Sequence, residues 1–184
     1  MSDAQYLTDL IADFQQNPTL NFLHFWGHTP KQVGNIDKSC FSQWFPAKFT
    51  VDGVEYATAE HYMMAQKAKL FNDEDSFQKI IASTNPNQAK KLGRGVKNYD
   101  GKIWEQHRFD IVVNGNIAKF SQNHSLQEFL LSTEDKILVE ASPVDHIWGI
   151  GFAEQDAQAN DPTQWQGLNL LGFALMQVRE QLSE

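Results

Sequence analysis

Phe49-Thr50-Val51-Asp52-Gly53-Val54-Glu55-Tyr56 constrains the fold more than any other stretch of this chain. Apolar residues alternate on both sides of Asp-Gly, the pair that most readily supplies the left-handed residues of a two-residue hairpin turn. A hairpin over 51–56 is therefore predicted, and it ends two residues before Thr58. Thr58 has the residue type of a helix N-cap, and Ala59-Glu60-His61-Tyr62-Met63-Met64-Ala65-Gln66-Lys67 follows it. The predicted helix runs from Thr58 to about Phe71.

On that helix Glu60 and Lys67 share a face. Seven residues at 3.6 per turn bring the lysine back to within about 20° of the glutamate, roughly 10 Å along the axis. Such a pair suits a polar small molecule lying between the two side chains. Spacing alone favours two solvated residues on a surface helix.

The flanking segments read mainly as helix. Residues 3–16 carry Tyr6, Leu10, Ile11 and Phe14 at helical spacing behind Ser2, and 20–26 is a short apolar run, strand or extended. Gly27 to Lys38 is turn-rich and is expected to be an exposed loop. Helices are predicted over 73–83, after Asn85-Pro86 with Gly93 closing it, after Asp100, after Ser125, and from about Leu168. Residues 136–141 read as a short strand. The expected fold class is mainly α with a small β component, in a single domain spanning 1–184.

Composition narrows the function. Of 184 residues, 41% are hydrophobic and 21% charged, the balance of a globular chain with a sizeable core. A net charge of −8 gives no electrostatic footprint for tracking along nucleic acid, so bulk DNA or RNA binding is not expected. No apolar run approaches the ~18 residues of a membrane span. The acidic N-terminus lacks the basic region of a signal peptide, and the single cysteine, Cys40, suits a reducing cytoplasm. Five Trp and thirteen Phe suggest aromatic walls as well as core.

Four segments taken together are similar to one known family. They are Phe41-Ser42-Gln43-Trp44 with the 51–53 turn, Thr58-Ala59-Glu60-His61-Tyr62 with Gln66 and Lys67, Asp145-His146-Ile147-Trp148-Gly149, and Asn169-Leu170-Leu171-Gly172. In that order and spacing they resemble the NADAR (YbiA-like) family, over about 21–180. The resemblance implies a small, mostly helical fold and N-glycosidase activity on a bond between ribose C1 and nitrogen. Its branches act on phosphoribosylamino-pyrimidine intermediates of riboflavin synthesis or remove ADP-ribose from guanine; an older reading of the family is NAD or ADP-ribose binding. Some members carry an acidic residue just after Trp-Gly, where this chain has Ile150, leaving Asp145 as the carboxylate nearest in sequence.

Breaking a ribosyl–nitrogen bond builds positive charge at C1 and negative charge on the leaving nitrogen. A carboxylate, a water, a proton donor and a flat surface for the base are therefore required. Glu60 is the first candidate carboxylate; at a helix N-terminus it is expected to be ionised, acting as base or electrostatic stabiliser. Lys67 has three roles open: phosphate binding, holding Glu60 ionised, or attack on the opened sugar, which needs a lowered pKa. Asp145 is a candidate to order water, or else an Asx-turn residue. Trp148 and Gly149 form a candidate stacking platform, against the alternative of a core Trp. Asn169 either binds ribose or base or caps the last helix. Arg94, with Lys90, Lys91 and Lys97, is the candidate phosphate holder. His24 and His28 are spaced i, i+4 but lack a third ligand, so no metal is expected, and no cofactor; neither common Gly-rich phosphate loop is present.

Overall fold

The computed structural model describes residues 2–183; Met1 and Glu184, the ends of the expected span, lie outside them. Among the described residues there are seven α-helices and two two-stranded sheets, a mainly helical fold as expected. Helix α1 is Asp3–Gln16, and β1 is Phe22–Phe25. The hairpin pairs β2, Phe49–Val51, antiparallel with β3, Val54–Tyr56. At its turn Asp52 (φ 51°) and Gly53 (φ 77°) are both left-handed, as an Asp-Gly turn requires.

Helix α2, Ala59–Leu70, follows at once, its first turn closed by the Thr58 hydroxyl accepting from the His61 N–H. It is no surface helix. Ala59 to Ala65 and Ala68 are all buried, because α3 (Glu74–Ile81), α4 (Pro86–Arg94) and α5 (Gly101–Ser121) enclose it. Over its first two turns the helix is covered on every side and needs no polar face, and each buried Met there contributes about 1.5–3 kcal/mol. Two glycines allow the close approach: a Cβ on Gly93 would collide with the Met64 side chain, and one on Gly115 with the Tyr62 ring. Gly93 thus lies inside α4, which is closed by Gly95, so the expected stop at Gly93 is corrected.

Asp100 caps α5, accepting from the N–H groups of Lys102 and Ile103. Its buried face is more polar than the apolar spacing suggested: Arg108, Asn116 and Lys119 are buried, whereas Ile103 and His107 are exposed. Helix α6, His124–Leu131, starts after Asn123 rather than at Ser125. Strand β4, Ile137–Glu140, pairs parallel with β1, Phe25 opposite Glu140. Helix α7, Leu170–Ser183, lies against β4 and α5, and a Cβ on Gly172 would strike the Leu138 carbonyl. The two parallel strands therefore end side by side, and the chain leaving each of them turns toward α2.

Candidate active site

At that place a cavity of about 660 Å³ opens, within the usual range for small-molecule sites. Helix α2 contributes Glu60, Met63, Met64 and Lys67, the i, i+3, i+4, i+7 stripe of one helix face. From α4 come Lys90 and Arg94, one turn apart, and from α5 Trp104. The chain after β1 adds Trp26 to His28, and the chain after β4 runs from Glu140 through Asp145 to Trp148. Four of the five tryptophans, 26, 44, 104 and 148, line this one space. A larger, open surface groove beside α1 and α7, lined by Tyr6 and Arg179, gathers no comparable set of groups.

Glu60 is only 4% exposed, and its N–H donates to the Gln43 carbonyl at 2.9 Å, tying the start of α2 to the segment bearing Trp44. Burial pushes its carboxyl up to about 7, with Lys90, a hydrogen bond from Trp44 and Arg94 pulling down and Asp145 pushing up. The expectation of a fully ionised Glu60 is corrected: desolvation outweighs the helix N-terminus. At neutral pH it is poised to take or give a proton. Lys67 has its ammonium 4.3 Å from the centre of the Tyr99 ring and 5.5 Å from that of Trp104. Burial and the Arg94 charge lower its pKa, and Glu60 opposes them. An apolar wall or a second cation can activate a lysine as a nucleophile, and Lys67 has both.

Asp145 Oδ1 accepts from the Ile147 and Trp148 N–H groups at 2.9 and 2.8 Å, so it is an Asx-turn residue and a cavity residue at once. That turn aims the half-buried Trp148 ring into the cavity. Gly149 is buried behind it, where a Cβ would crowd Ser142 and the Glu140 and Asp145 carbonyls; it permits the turn and does not line the cavity. Asn169 does not line the cavity either. It is wholly buried, its Oδ1 accepting from the Glu140 N–H at 2.9 Å and its Nδ2 donating to the Leu138 carbonyl at 2.9 Å. Both expectations for it, ligand binding and side-chain capping, give way to bracing β4. The first N–H groups of α7 go instead to the Ile147 and Trp148 carbonyls.

Of the basic cluster, Lys90 and Arg94 face the cavity; Lys91 is exposed, and Lys97 pairs with Asp75 at 3.8 Å. His24 donates to the Ala159 carbonyl at 3.0 Å, and His28 tilts against Trp44. Cys40 is buried, its thiol pushed up to about 12 by desolvation, which leaves no usable nucleophile.

Residues 24–183 match the NADAR domain family. The chain belongs to the NADAR family. An N-glycosidase of Acanthamoeba polyphaga mimivirus is 46% identical over 168 residues, 89% of this chain and 97% of that protein. The N-glycosidase YbiA of Escherichia coli is 35% identical over 147 residues, covering 80% and 81% of the two chains. The NMR structure of E. coli YbiA superposes with a TM-score of 0.71 at 31% identity, over 89% of this chain and 85% of that one.

This NADAR chain's departure at Ile150 falls outside the cavity: the side chain is 0% exposed, packed in the core. One carboxyl of the cavity, Glu140 at the end of β4, is not singled out by this NADAR sequence, and neither are Trp26 and Trp104. Glu140 sits five residues before Asp145, and nothing in a short apolar strand marks its last residue as functional. Lys90 and Trp44 were visible only as parts of a basic cluster and a motif edge.

Proposed function

We propose that this protein is an N-glycosidase that hydrolyses a ribosyl C1–N bond, acting on phosphorylated ribosylamino-pyrimidines such as the early intermediates of riboflavin synthesis. One observation carries the reading: Glu60, Glu140 and Asp145 converge with Lys67, Lys90 and Arg94 in a single tryptophan-walled cavity. The carboxyls suit an oxocarbenium-like transition state, and Lys90 with Arg94 suits a 5′-phosphate. The indole walls suit a planar base. The names of the relatives, N-glycosidase, agree with a hydrolase acting on N-glycosyl bonds.

Glu60, with its proton held only to about 7, takes a proton from the water that attacks C1. Asp145, fixed through Oδ1 by two backbone N–H groups and lining the same cavity, orders that water. Lys67, weakened as a proton holder, is suited to act on the sugar as an amine as well as a cation. The net negative charge disfavours duplex nucleic acid as the body of the substrate. Among the described residues no helix is long and apolar enough to cross a membrane, and a lone buried Cys40 suits a reducing cytoplasm.

A second reading, ADP-ribosyl-guanine as substrate, is favoured by the cavity rim. Trp26, Val144 and Ile147 are 58%, 78% and 40% exposed there, an apolar ledge on which a second base can lie. Incubating the purified protein with each compound decides between them. Release of ribose phosphate from the ribosylamino-pyrimidine is the expected result; cleavage of the guanine adduct alone overturns the substrate assignment.

A further inference from the structure

We propose that Glu140 is a catalytic residue, the general acid that protonates the departing base nitrogen while Glu60 receives the proton of the attacking water. The inference rests on the N-glycosidase reading and assigns a role to a carboxyl that reading leaves idle.

The backbone of Glu140 is rigidly mounted. Glu140 is the last residue of β4, paired with Phe25 of β1. Its N–H donates to Asn169 Oδ1 at 2.9 Å, and its carbonyl accepts from Ser142 at 2.9 Å and Ile150 at 3.0 Å. The backbone is thus held from three directions while the side chain reaches the cavity. This gives Asn169 its meaning: it positions the acid without touching the ligand.

The side chain itself is unfinished. Oε2 is enclosed and has no hydrogen-bond partner within the protein. Asp145, in the same wall, has two N–H donors on one oxygen. A carboxylate oxygen sealed from water without a donor is unfavourable, whereas a protonated carboxyl is tolerated there. With Oε2 sealed, the oxygen that can meet a ligand is Oε1, which is not enclosed and has no partner in the protein; protonated there, the carboxyl is a donor whose acceptor has to come from outside, and the leaving nitrogen or an exocyclic oxygen of the base supplies one.

The charges around it act in the same sense. Facing it are Glu60 and Lys67 from α2, Lys90 and Arg94 from α4, and Asp145 from its own loop. Burial, Asp145 and Glu60 together push its carboxyl up to about 8, with Lys90 opposing. Glu60 is pushed only to about 7. Two carboxyls in one cavity with separated proton affinities divide into acid and base, the higher one keeping its proton.

The step balances. The C1–N bond breaks with its electron pair going to nitrogen, which takes the proton of Glu140. A water oxygen bonds to C1, and its proton passes to Glu60. The products are the free sugar hydroxyl and the free N–H base. Glu60 then hands its proton through water to Glu140, the better holder, and both carboxyls are reset.

The test uses the parent protein, Glu140→Gln and Glu140→Asp, with folding checked by circular dichroism. Infrared difference spectra at neutral pH should show a protonated-carboxyl band in the parent that Glu140→Gln lacks. On a ribosylamino-pyrimidine phosphate, kcat should fall about 10²–10⁴-fold in Glu140→Gln. The parent's decline above about pH 8 should vanish with it, and Glu140→Asp should restore part of both. Absence of the infrared band, or an alkaline decline that persists in Glu140→Gln, overturns the role of Glu140 alone. A parent that shows the band but turns over neither this substrate nor ADP-ribosyl-guanine overturns the N-glycosidase reading, and the acid role with it.

Discussion

Lys119, in the last turn of α5, donates from its ammonium to the Ser42 carbonyl at 3.0 Å and to the Cys40 carbonyl at 2.7 Å. It is wholly buried, lies over the Phe45 and Phe120 rings, and has its pKa brought down to about 8 by desolvation. The segment it holds leads directly into Gln43 and Trp44, and the Gln43 amide oxygen accepts from Asn116 one turn earlier on the same helix. One face of α5 thus fixes an edge of the cavity from behind.

Lys119→Met keeps most of the volume and strands two buried carbonyls. A loss of stability of about 1–3 kcal/mol is expected, read as a lower denaturant midpoint with an unchanged slope. Turnover should fall as well, because Trp44 loses its support. Unaltered stability would mean that water satisfies the carbonyls equally well.

Glu60→Gln keeps shape and removes the proton acceptor. Turnover should drop about 10²–10⁴-fold while ligand affinity changes little. A protein that only binds nucleotides would show no parent turnover to lose, and rate-neutral behaviour of the variant would remove Glu60 from the chemistry.

Lys90 and Arg94 are one turn apart on α4 and both face the cavity. Arg94→Ala should raise KM for a phosphorylated substrate by about tenfold or more and leave KM for the dephosphorylated compound nearly unchanged. Equal effects on both compounds would place the phosphate elsewhere.

Acidity and stability are linked through the two cavity glutamates, Glu60 and Glu140. Their carboxyls are raised from 4.5 to about 7 at Glu60 and about 8 at Glu140, so the folded chain holds protons that the unfolded chain has released. Their contribution is complete below 4.5 and declines as pH rises through 7 and 8. His61 works in the opposite sense, since burial lowers its pKa below 6.5 and disfavours its charged form in the fold. Glu140→Gln should therefore raise Tm more at about pH 8.5 than at about pH 5, by a few degrees for roughly 1 kcal/mol in a chain of this size. Differential scanning calorimetry at the two values checks it, and a gain independent of pH contradicts it.

Local signals in the sequence were strong wherever they were backbone signals. Asp52-Gly53, Thr58, Asn85-Pro86 and Asp100 each satisfy or release particular backbone groups within a few residues, so the hairpin and the helix starts were legible. Ser125 misled because Asn and Ser are about equally good N-cap residues and the chain offers both within two positions, and Gly93 because a glycine is also used where two helices press together. The stripe linking Glu60 to Lys67 was readable for the same local reason, as 3.6 residues per turn is a property of the helix alone.

The chemistry of that stripe was not local. Whether Glu60 is solvated or sealed depends on α3, α4 and α5, and the answer moves its pKa from the ordinary carboxylate range up to about 7. Glu140, Asn169 and Lys119 owe their places to partners 29 and 77 residues or more away in the chain, across β4, α7 and α5. Sequence by itself determined the helical class, the hairpin, the caps at Thr58, Asn85 and Asp100 and the family to which the chain belongs, since those follow from backbone geometry and from residue order. Only the tertiary structure decided which carboxyls share a cavity and which asparagine merely braces it. Desolvation and charge coupling depend on distance in space, and chain spacing does not carry that distance.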